Sequence, residues 1–183
     1  MQVLYYVRHG ESQDNVDRVW SRQDTPLTAR GKKQARAAGQ LFKRQAIQFD
    51  LIVSSPLRRA HETALIIAQQ LNYPSKEVQL LDLLAELDFG DLIGTSGLLI
   101  FDKPFSRLGL ENEPSTEKMI ELHLRAERAL KSLHATGANS VLVVSHGTFG
   151  RALRRVINSE PPEHEFDPGE KWRLDNGEVA RFI

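Results

Sequence analysis

Residues 3–10 of the sequence read VLYYVRHG, an apolar run that stops at a cation, a histidine and a glycine. The run predicts a buried β-strand, because its residues are aliphatic, aromatic or β-branched and no polar residue interrupts them. Two further stretches have the same form, LIVSSP at 51–56 and VLVVSHG at 141–147. Continuous apolar strands are typical of a parallel sheet covered on both faces, so these three stretches predict its centre.

Helical patterns separate the strands, which predicts an α/β fold. Apolar residues recur at helical spacing in four segments: 28–45, 55–71, a segment opening at 115, and 147–157. The second helix is predicted to begin at Ser55, with Pro56 in its first turn. A closing edge strand is expected at 179–183, after the turn signal Asn176-Gly177.

The chain has 183 residues, which corresponds to a single domain over 1–183. Two segments fit no helix or strand pattern. Segment 92–114 mixes glycines and prolines with large apolar residues, and it is predicted to be a lid insertion. A packed surface insertion or a dimer contact is the alternative for this segment. Segment 159–171 holds three prolines and five acidic residues, and it predicts an irregular, solvated connection.

The composition excludes several classes of function. Lys and Arg number 24 and Asp and Glu number 24, so general attraction to nucleic acid or to anionic membranes is not expected. The chain has no cysteine, which excludes disulfides, zinc–thiolate sites, iron–sulfur clusters and cysteine nucleophiles. The first residues lack the basic and apolar regions of a signal peptide, and no apolar run is long enough to span a membrane. These features predict a cytoplasmic protein.

Histidines and arginines stand where the predicted strands end. His9 and His146 each follow a strand and precede a glycine, and Arg8 is next to His9. Arg58 and Arg59 lie in the first turn after the strand at 51–53. Ligands of open α/β sheets bind at the carboxyl ends of strands. Arginine binds phosphate in a bidentate manner and stays charged, so the pattern predicts a local phosphate site on a neutral protein.

The order of short motifs along the chain resembles the histidine phosphatase superfamily, which has the phosphoglycerate mutase-like fold. The matching blocks are RHGES at 8–12 with Asn15, DTPLT at 24–28, SPLRRA at 55–60, LAE at 84–86, VSHG at 144–147 and NG at 176–177. A bare Arg-His-Gly is a weak signal, whereas these blocks in order span nearly the whole chain. The resemblance implies a three-layer α/β/α sandwich with a mostly parallel central sheet.

The resemblance implies a role for each matched residue. His9 is expected to be the nucleophile that carries a phosphohistidine intermediate. Glu86 is expected to protonate the leaving oxygen and then to activate water. Arg8, Arg59 and His146 are expected to hold the phosphoryl oxygens. The remaining candidates for the phosphate site are Asn15 and Gly147.

Other residues in or near the motifs are predicted to be structural. Arg58 is expected on the helix surface, and Glu11 and Ser12 are expected to orient the backbone. The histidines outside the motifs are expected to be solvated: His61, His123, His134 and His164. No cluster of histidines and carboxylates has the spacing of metal ligands, so no metal cofactor is predicted.

Three functions are compatible with these residues. A metal-independent phosphomonoester hydrolase is favoured over a cofactor-dependent phosphoglycerate-type mutase, because mutases of the family carry longer lid insertions. A weakly active phospho-ligand or protein-binding module ranks last, because the expected nucleophile, acid and cations are all present. The expected partner is a small phosphorylated substrate, with no nucleic acid and no membrane. Its identity stays open among sugar phosphates, a glycerate phosphate, nucleotide-like phosphates and a protein phosphohistidine, and so does the oligomeric state.

Four sites depart from the usual family pattern, and they are expected to line the mouth of the substrate pocket. They are Ser21, His61-Glu62, Leu92-Ile93 and Thr148-Phe149-Gly150. If this placement is correct, these residues help to determine which phosphate ester is accepted.

Overall fold

The computed structural model of the protein describes residues 1–96, 114–162 and 174–183. Its strands are β1 (Val3–Arg8), β2 (Leu51–Ser54), β3 (Gln79–Leu80), β4 (Ser140–Ser145) and β5 (Val179–Arg181). They form one sheet in the order β3-β2-β4-β1-β5. All pairs are parallel except the pair of β1 and β5, which is antiparallel. The predicted mostly parallel sheet is therefore confirmed.

Helices cover this sheet. The α-helices in the described residues are α1 (Gln13–Asp17), α2 (Ala29–Arg44), α3 (Arg58–Gln70), α4 (Met119–Ala135) and α5 (Gly147–Ile157). Short 3-10 helices cover Ser75–Glu77, Asp82–Leu84 and Gly90–Leu92. None of the helices in these three stretches is long and apolar enough to cross a membrane.

The sheet has an apolar core on each face. Along β4, Val141 and Val143 point to one face, whereas Leu142 and Val144 point to the other. Helices α4 and α5 pack on the first face, and α2 and α3 pack on the second. Burial on both faces explains why the central strands are apolar throughout. The expected α/β/α sandwich is confirmed.

Helix α3 begins at Arg58, so the predicted start at Ser55 is wrong. Ser55 N donates to Val144 O over 3.0 Å, which extends the sheet by one residue. The Ser55 Oγ accepts a hydrogen bond from Leu57 N (3.2 Å) and also contacts the ring of His146 (2.8 Å). The backbone of β4 and the ring of His146 thus hold Ser55, and Leu57 takes the cap position instead.

Helix α4 begins at Met119, four residues after the predicted start at Ser115. Ser115 lies in a turn, and its Oγ accepts a hydrogen bond from Asp91 N over 3.1 Å. Glu121 provides the cap by accepting from Lys118 N over 2.8 Å. Ser115 does accept a hydrogen bond from a backbone N–H, but that N–H belongs to the 3-10 helix Gly90–Leu92 and not to α4.

Helix α5 has the predicted bounds, and the predicted edge strand is present as the shorter β5. Helix α1 and strand β3 were not predicted, because elements of a few residues carry no apolar periodicity. Residues 97–113 and 163–173 lie outside the described residues. They contain most of the predicted insertion at 92–114 and of the predicted connection at 159–171, so both stay predictions.

Gly150 in α5 allows this helix to approach β1 closely. A Cβ atom at this position would lie 2.7 Å from the Tyr6 ring. Tyr6 cannot move away, because its hydroxyl donates to His146 O (2.6 Å) and accepts from His146 N (3.0 Å). Its ring also stacks on Phe182 at a centroid distance of 4.8 Å. The contact fixes the point at which β4 passes into α5.

The variant Gly150→Ala is expected to lower the free energy of unfolding by about 1–3 kcal/mol, because overpacking outweighs the gain in helix propensity. Chemical denaturation measures this loss. In a Tyr6→Leu background the clashing ring atoms are absent, so the same substitution is expected to cost less. Equal losses in both backgrounds would contradict the close contact as the cause.

Candidate active site

The pairing of β1 with β4 brings the two predicted strand-end histidines together. Their register places Arg8 opposite Ser145, and His9 N donates to Ser145 O over 2.9 Å. His9 and His146 leave the sheet side by side, with ring centroids 5.1 Å apart. Both side chains are buried. The prediction that these strand ends converge is therefore confirmed.

His9 is held as a neutral imidazole with one nitrogen available for attack. Its Nδ1 lies 2.7 Å from Gly10 O and donates the ring proton to it. The Nε2 accepts a hydrogen bond from Arg59 Nε at 3.3 Å, which requires a lone pair on that nitrogen. Burial, followed by the charges of Arg59 and Arg8, lowers the pKa of His9 well below 6.5. A neutral ring with an unprotonated Nε2 is the nucleophilic form of histidine.

Two arginines supply positive charge beside His9. Arg59 is 2% exposed, and its Nη1 donates to Arg22 O over 2.9 Å. Burial lowers the pKa of Arg59 to about 10, so it remains a cation at neutral pH. Arg8 donates from Nη1 to Leu174 O over 2.7 Å. Backbone carbonyls thus orient both guanidinium groups.

His146 lies beside His9 and is fixed by a serine. Its Nε2 is 2.8 Å from Ser55 Oγ, while its Nδ1 is buried and has no hydrogen-bond partner in the described residues. Burial, followed by the charge of Arg59, lowers the pKa of His146 well below 6.5. The ring is therefore neutral near pH 7. The sequence does not predict this contact of Ser55 with His146.

Glu86 follows the 3-10 helix Asp82–Leu84, and its carboxylate is bound to the first turn of α5. Oε1 accepts from Phe149 N over 2.9 Å and from Leu87 N over 3.0 Å, and Oε2 accepts from Thr148 N over 3.2 Å. The free N–H groups of a helix N-terminus favour a carboxylate at this position. The same helix follows directly after His146, so the candidate acid and the two histidines share one support.

Asn15 is oriented by a capping box and by a residue far along the chain. Its Oδ1 accepts from Ser12 N (3.1 Å) and from Asn176 Nδ2 (3.2 Å). Both contacts use the oxygen, which leaves the Asn15 NH₂ group as a donor. Asn176 also donates to His9 O over 3.1 Å. The sequence signals Asn176 only as part of a turn, so its link between His9 and Asn15 was not predicted.

A cavity of about 220 Å³ opens onto these groups. Its polar wall contains Arg8, His9, Asn15, Arg59 and Glu86. Its apolar wall contains Val19, Trp20, Leu57, Leu87, Phe89 and Ile93. Ile93 was expected at the pocket mouth, whereas the other apolar residues were not predicted to line the site. Most of them come from segments without strand or helix periodicity. The structure therefore unites five of the seven predicted site residues in one cavity wall.

The other two predicted site residues, His146 and Gly147, are buried or packed next to the cavity but do not form its wall. A Cβ atom at Gly147 would lie 3.4 Å from Arg8 Nε, an ordinary van der Waals distance, so this residue packs against the Arg8 side chain. Arg58 lies outside the cavity wall and pairs with Glu62 over 2.8 Å, as expected for a residue of the helix surface.

Glu11 and Ser12 have the expected structural roles. Ser12 caps α1, and Glu11 N donates to Gln34 Oε1 over 2.8 Å. His123 is buried and lies 3.6 Å from Glu127, so the prediction that it is solvated is wrong. The apolar face of α4 turns this histidine inward. His134 is exposed, His61 is half-buried, and His164 lies outside the described residues.

The expectation that all departures from the family pattern line the pocket mouth is correct for two residues. Ser21 and Ile93 lie in the cavity wall, whereas Leu92, His61 and Glu62 do not. The stretch at 148–150 lies inside the fold, because Glu86 takes up its N–H groups and its last residue packs on Tyr6. This stretch holds the Glu86 carboxylate and does not line the cavity.

Comparison with known proteins gives the relationship that this geometry indicates. Residues 4–182 match the family model of the histidine phosphatase superfamily, branch 1. The chain belongs to this superfamily. The predicted family and the predicted enzyme class, a histidine phosphatase, are confirmed by this match and by phosphatases among the relatives.

Among histidine phosphatase relatives, the uncharacterized phosphatase PhoE of Bacillus subtilis is 34% identical over 100% of both chains. A 2,3-bisphosphoglycerate-dependent phosphoglycerate mutase of Bartonella bacilliformis is 30% identical over 85% of this chain and 81% of its own. The crystal structure of the alpha-ribazole phosphatase from Shigella flexneri has a TM-score of 0.79 at 28% identity, covering 98% of this chain and 89% of that one.

The contact between Ser55 and His146 predicts that Ser55→Ala lowers kcat/KM about tenfold. The buried Nε2 of His146 loses its hydrogen-bond partner in this variant, and the ring is no longer held in its orientation. Hydrolysis of 4-nitrophenyl phosphate measures the effect. Ser54→Ala is a matched control, since Ser54 is buried next to it but its Oγ donates to Ser55 O (2.8 Å) and not to the histidine. A loss of the same size in both variants would contradict a specific role for Ser55.

The lowered pKa values of His9 and His146 predict acid lability below pH 6.5. Below pH 6.5 the unfolded chain binds a proton at each of these two rings, whereas the folded protein does not. The free energy of unfolding therefore decreases as the pH is lowered, by up to about 1.4 kcal/mol per pH unit for each histidine. Denaturation of His9→Gln between pH 7 and pH 5 is expected to show a shallower fall. The exposed His134→Gln variant is expected to match the wild type, and an unchanged slope in His9→Gln would refute the assignment.

Proposed function

We propose that the protein hydrolyses phosphomonoesters through a phosphohistidine intermediate on His9. The observation that carries this proposal is the state of His9, a buried neutral imidazole whose unprotonated Nε2 accepts a hydrogen bond from Arg59, in a cavity wall that also contains Arg8. Such a group is a nucleophile directed at an anion. Glu86 in the same wall supplies a proton donor and acceptor.

In the first step, His9 Nε2 attacks phosphorus and the bond from phosphorus to the ester oxygen breaks. The Nδ1 proton stays on the ring, and the hydrogen bond that it donates to Gly10 O stabilises the positive ring that forms. Arg8 and Arg59 balance the charge of the non-bridging oxygens, and the Asn15 NH₂ group donates a further hydrogen bond. The negative charge of the bound ester favours a proton on Glu86, which gives that proton to the leaving oxygen, so the alcohol departs neutral.

In the second step, water attacks the phosphohistidine. Glu86, now a carboxylate, takes a proton from the water as the new phosphorus–oxygen bond forms and the bond to His9 Nε2 breaks. Inorganic phosphate leaves, and both residues return to their starting protonation states. Arg8 and Arg59 balance the phosphoryl charge throughout, which supports a reaction without a metal ion. This independence from metal stays a prediction, as does a cytoplasmic location.

The main alternative is a phosphoglycerate-type mutase, since mutases are among the curated relatives. Among the described residues that line the cavity, Arg8 and Arg59 are the cations. A bisphosphorylated glycerate carries two phosphates and a carboxylate, and this wall matches one phosphate only. The rest of the described wall is mainly apolar and offers no further cation, which favours a substrate with one phosphate and an uncharged alcohol part, and therefore hydrolysis.

The variant His9→Ala is expected to lose about a thousandfold or more of turnover, because no other group in the wall replaces the nucleophile. The measurement is release of 4-nitrophenol from 4-nitrophenyl phosphate in EDTA, with His134→Ala as a control for loss of an exposed histidine. Wild-type activity that disappears in EDTA would refute the metal-free reaction. Wild-type turnover in His9→Ala would refute the phosphohistidine, and isomerisation of a phosphorylated glycerate without phosphate release would favour the mutase.

A further inference from the structure

We propose that Arg125 of helix α4 is a positioning residue for the acid step, because it holds the backbone segment that carries Glu86. This inference rests on the proposed function, in which Glu86 protonates the leaving oxygen. Arg125 does not line the cavity, and nothing in the sequence motifs singles it out.

One side of the Arg125 guanidinium binds the backbone around Glu86. Its Nη1 donates to Leu83 O over 2.9 Å and to Ala85 O over 2.7 Å. Its Nη2 donates to Glu86 O over 3.1 Å. The acid and the residue before it are thus both held through their own carbonyl groups.

The other side of the guanidinium binds Glu117, which precedes α4. Arg125 Nε donates to Glu117 Oε1 (2.8 Å), and Nη2 donates to Oε2 (2.7 Å). Glu117 continues the contact to the acid segment, because its Oε2 accepts from Asp88 N over 3.2 Å and its N donates to Asp88 O over 2.8 Å. The Arg125–Glu117 pair therefore contacts the acid segment on both sides of Glu86.

These contacts use all of the five N–H donors that a guanidinium group possesses. The side chain is only 13% exposed, and its cation lies over the Phe149 ring at 5.3 Å. Lysine offers three donors from one point and cannot reproduce this planar fork. A surface salt bridge of no consequence would not engage every donor in the neighbourhood of one residue.

The segment at 85–89, which carries Glu86, needs this support because no strand of the described residues pairs with it. The 3-10 helix ends at Leu84, and the residues at 85–89 form a large part of the cavity wall without regular structure. Helix α5 holds the carboxylate of Glu86, and Arg125 holds its backbone. Both contacts are required to fix the distance from the carboxyl group to the ester oxygen.

This arrangement predicts a loss that depends on the leaving group. A displaced acid slows the cleavage of only those esters whose leaving alcohol must be protonated, whereas 4-nitrophenolate leaves without a proton. Benzyl phosphate is a matched substrate of similar size whose alkoxide does need one. The ratio kcat/KM is the proper measure, because it reports the steps up to alcohol release and excludes hydrolysis of the phosphohistidine.

The experiment compares wild type, Glu86→Gln, Arg125→Met and Arg125→Lys on both esters. For Glu86→Gln the expected loss is about 10²–10⁴-fold on benzyl phosphate and below about tenfold on 4-nitrophenyl phosphate. For Arg125→Met it is about 10- to 100-fold on benzyl phosphate and within about threefold on the other ester, since a displacement near 1 Å has effects of this size. Arg125→Lys is expected to follow Arg125→Met.

Arg128→Met is the control on the same helix, because Arg128 is exposed, and it is expected to leave both esters unchanged. Thermal unfolding identifies any variant that fails to fold, and if Arg125→Met is one, Arg125→Lys carries the test. Equal losses on both esters, or no loss on either, in the folded Arg125 variant would overturn the inference. Equal losses in Glu86→Gln would instead overturn the acid role in the proposed function.

Discussion

The parallel pairing of β1 with β4 is the interaction on which the candidate site depends. Residues Arg8 and Ser145 face each other in this register, so the two strands end at the same level and release His9 and His146 as neighbours. A shift of one residue would send each side chain to the opposite face of the sheet. Burial of both faces prevents such a shift, because alternate residues of β4 belong to different cores. The apolar packing of the sheet thus determines the geometry of a polar site.

The site combines a buried cation, Arg59, with the buried neutral imidazoles of His9 and His146. Arg59 is almost fully buried beside His9, and burial lowers the pKa values of both groups. Desolvation of an arginine costs free energy that a bound phosphoryl group offsets through bidentate hydrogen bonds. The fold therefore maintains an unfavourable arrangement in the free protein, and binding of an anion relieves it. Stability and function make opposite demands at this point.

Much of this fold could be predicted from residue patterns, and the failures have physical causes. The apolar stretches at 3–7, 51–53 and 141–144 predict the central strands correctly, because burial on two faces requires such runs. The helix starts at Ser55 and Ser115 were wrong, because tertiary partners took up hydroxyl groups that local reasoning assigned to caps. Helix α1 and strand β3 were too short for any periodicity.

The candidate site likewise has a part that could be predicted from the sequence and a part that could not. The family motifs predict the residues of the polar wall, whose types are dictated by phosphate chemistry. The apolar wall and the supports of the acid come from segments that only the fold brings together. Arg125, for example, binds the carbonyl group of a residue 42 positions earlier, a pairing that no local pattern encodes.

The contact of Asn176 with the carbonyl of His9 has a consequence for biosynthesis. The two residues are 167 positions apart, and β5 adds an antiparallel partner to β1 in the same region. A contact of such long range cannot form on the ribosome until almost the entire described chain has emerged, and long loops close slowly. The edge of β1 that pairs with β5 therefore stays unpaired for most of the protein's translation.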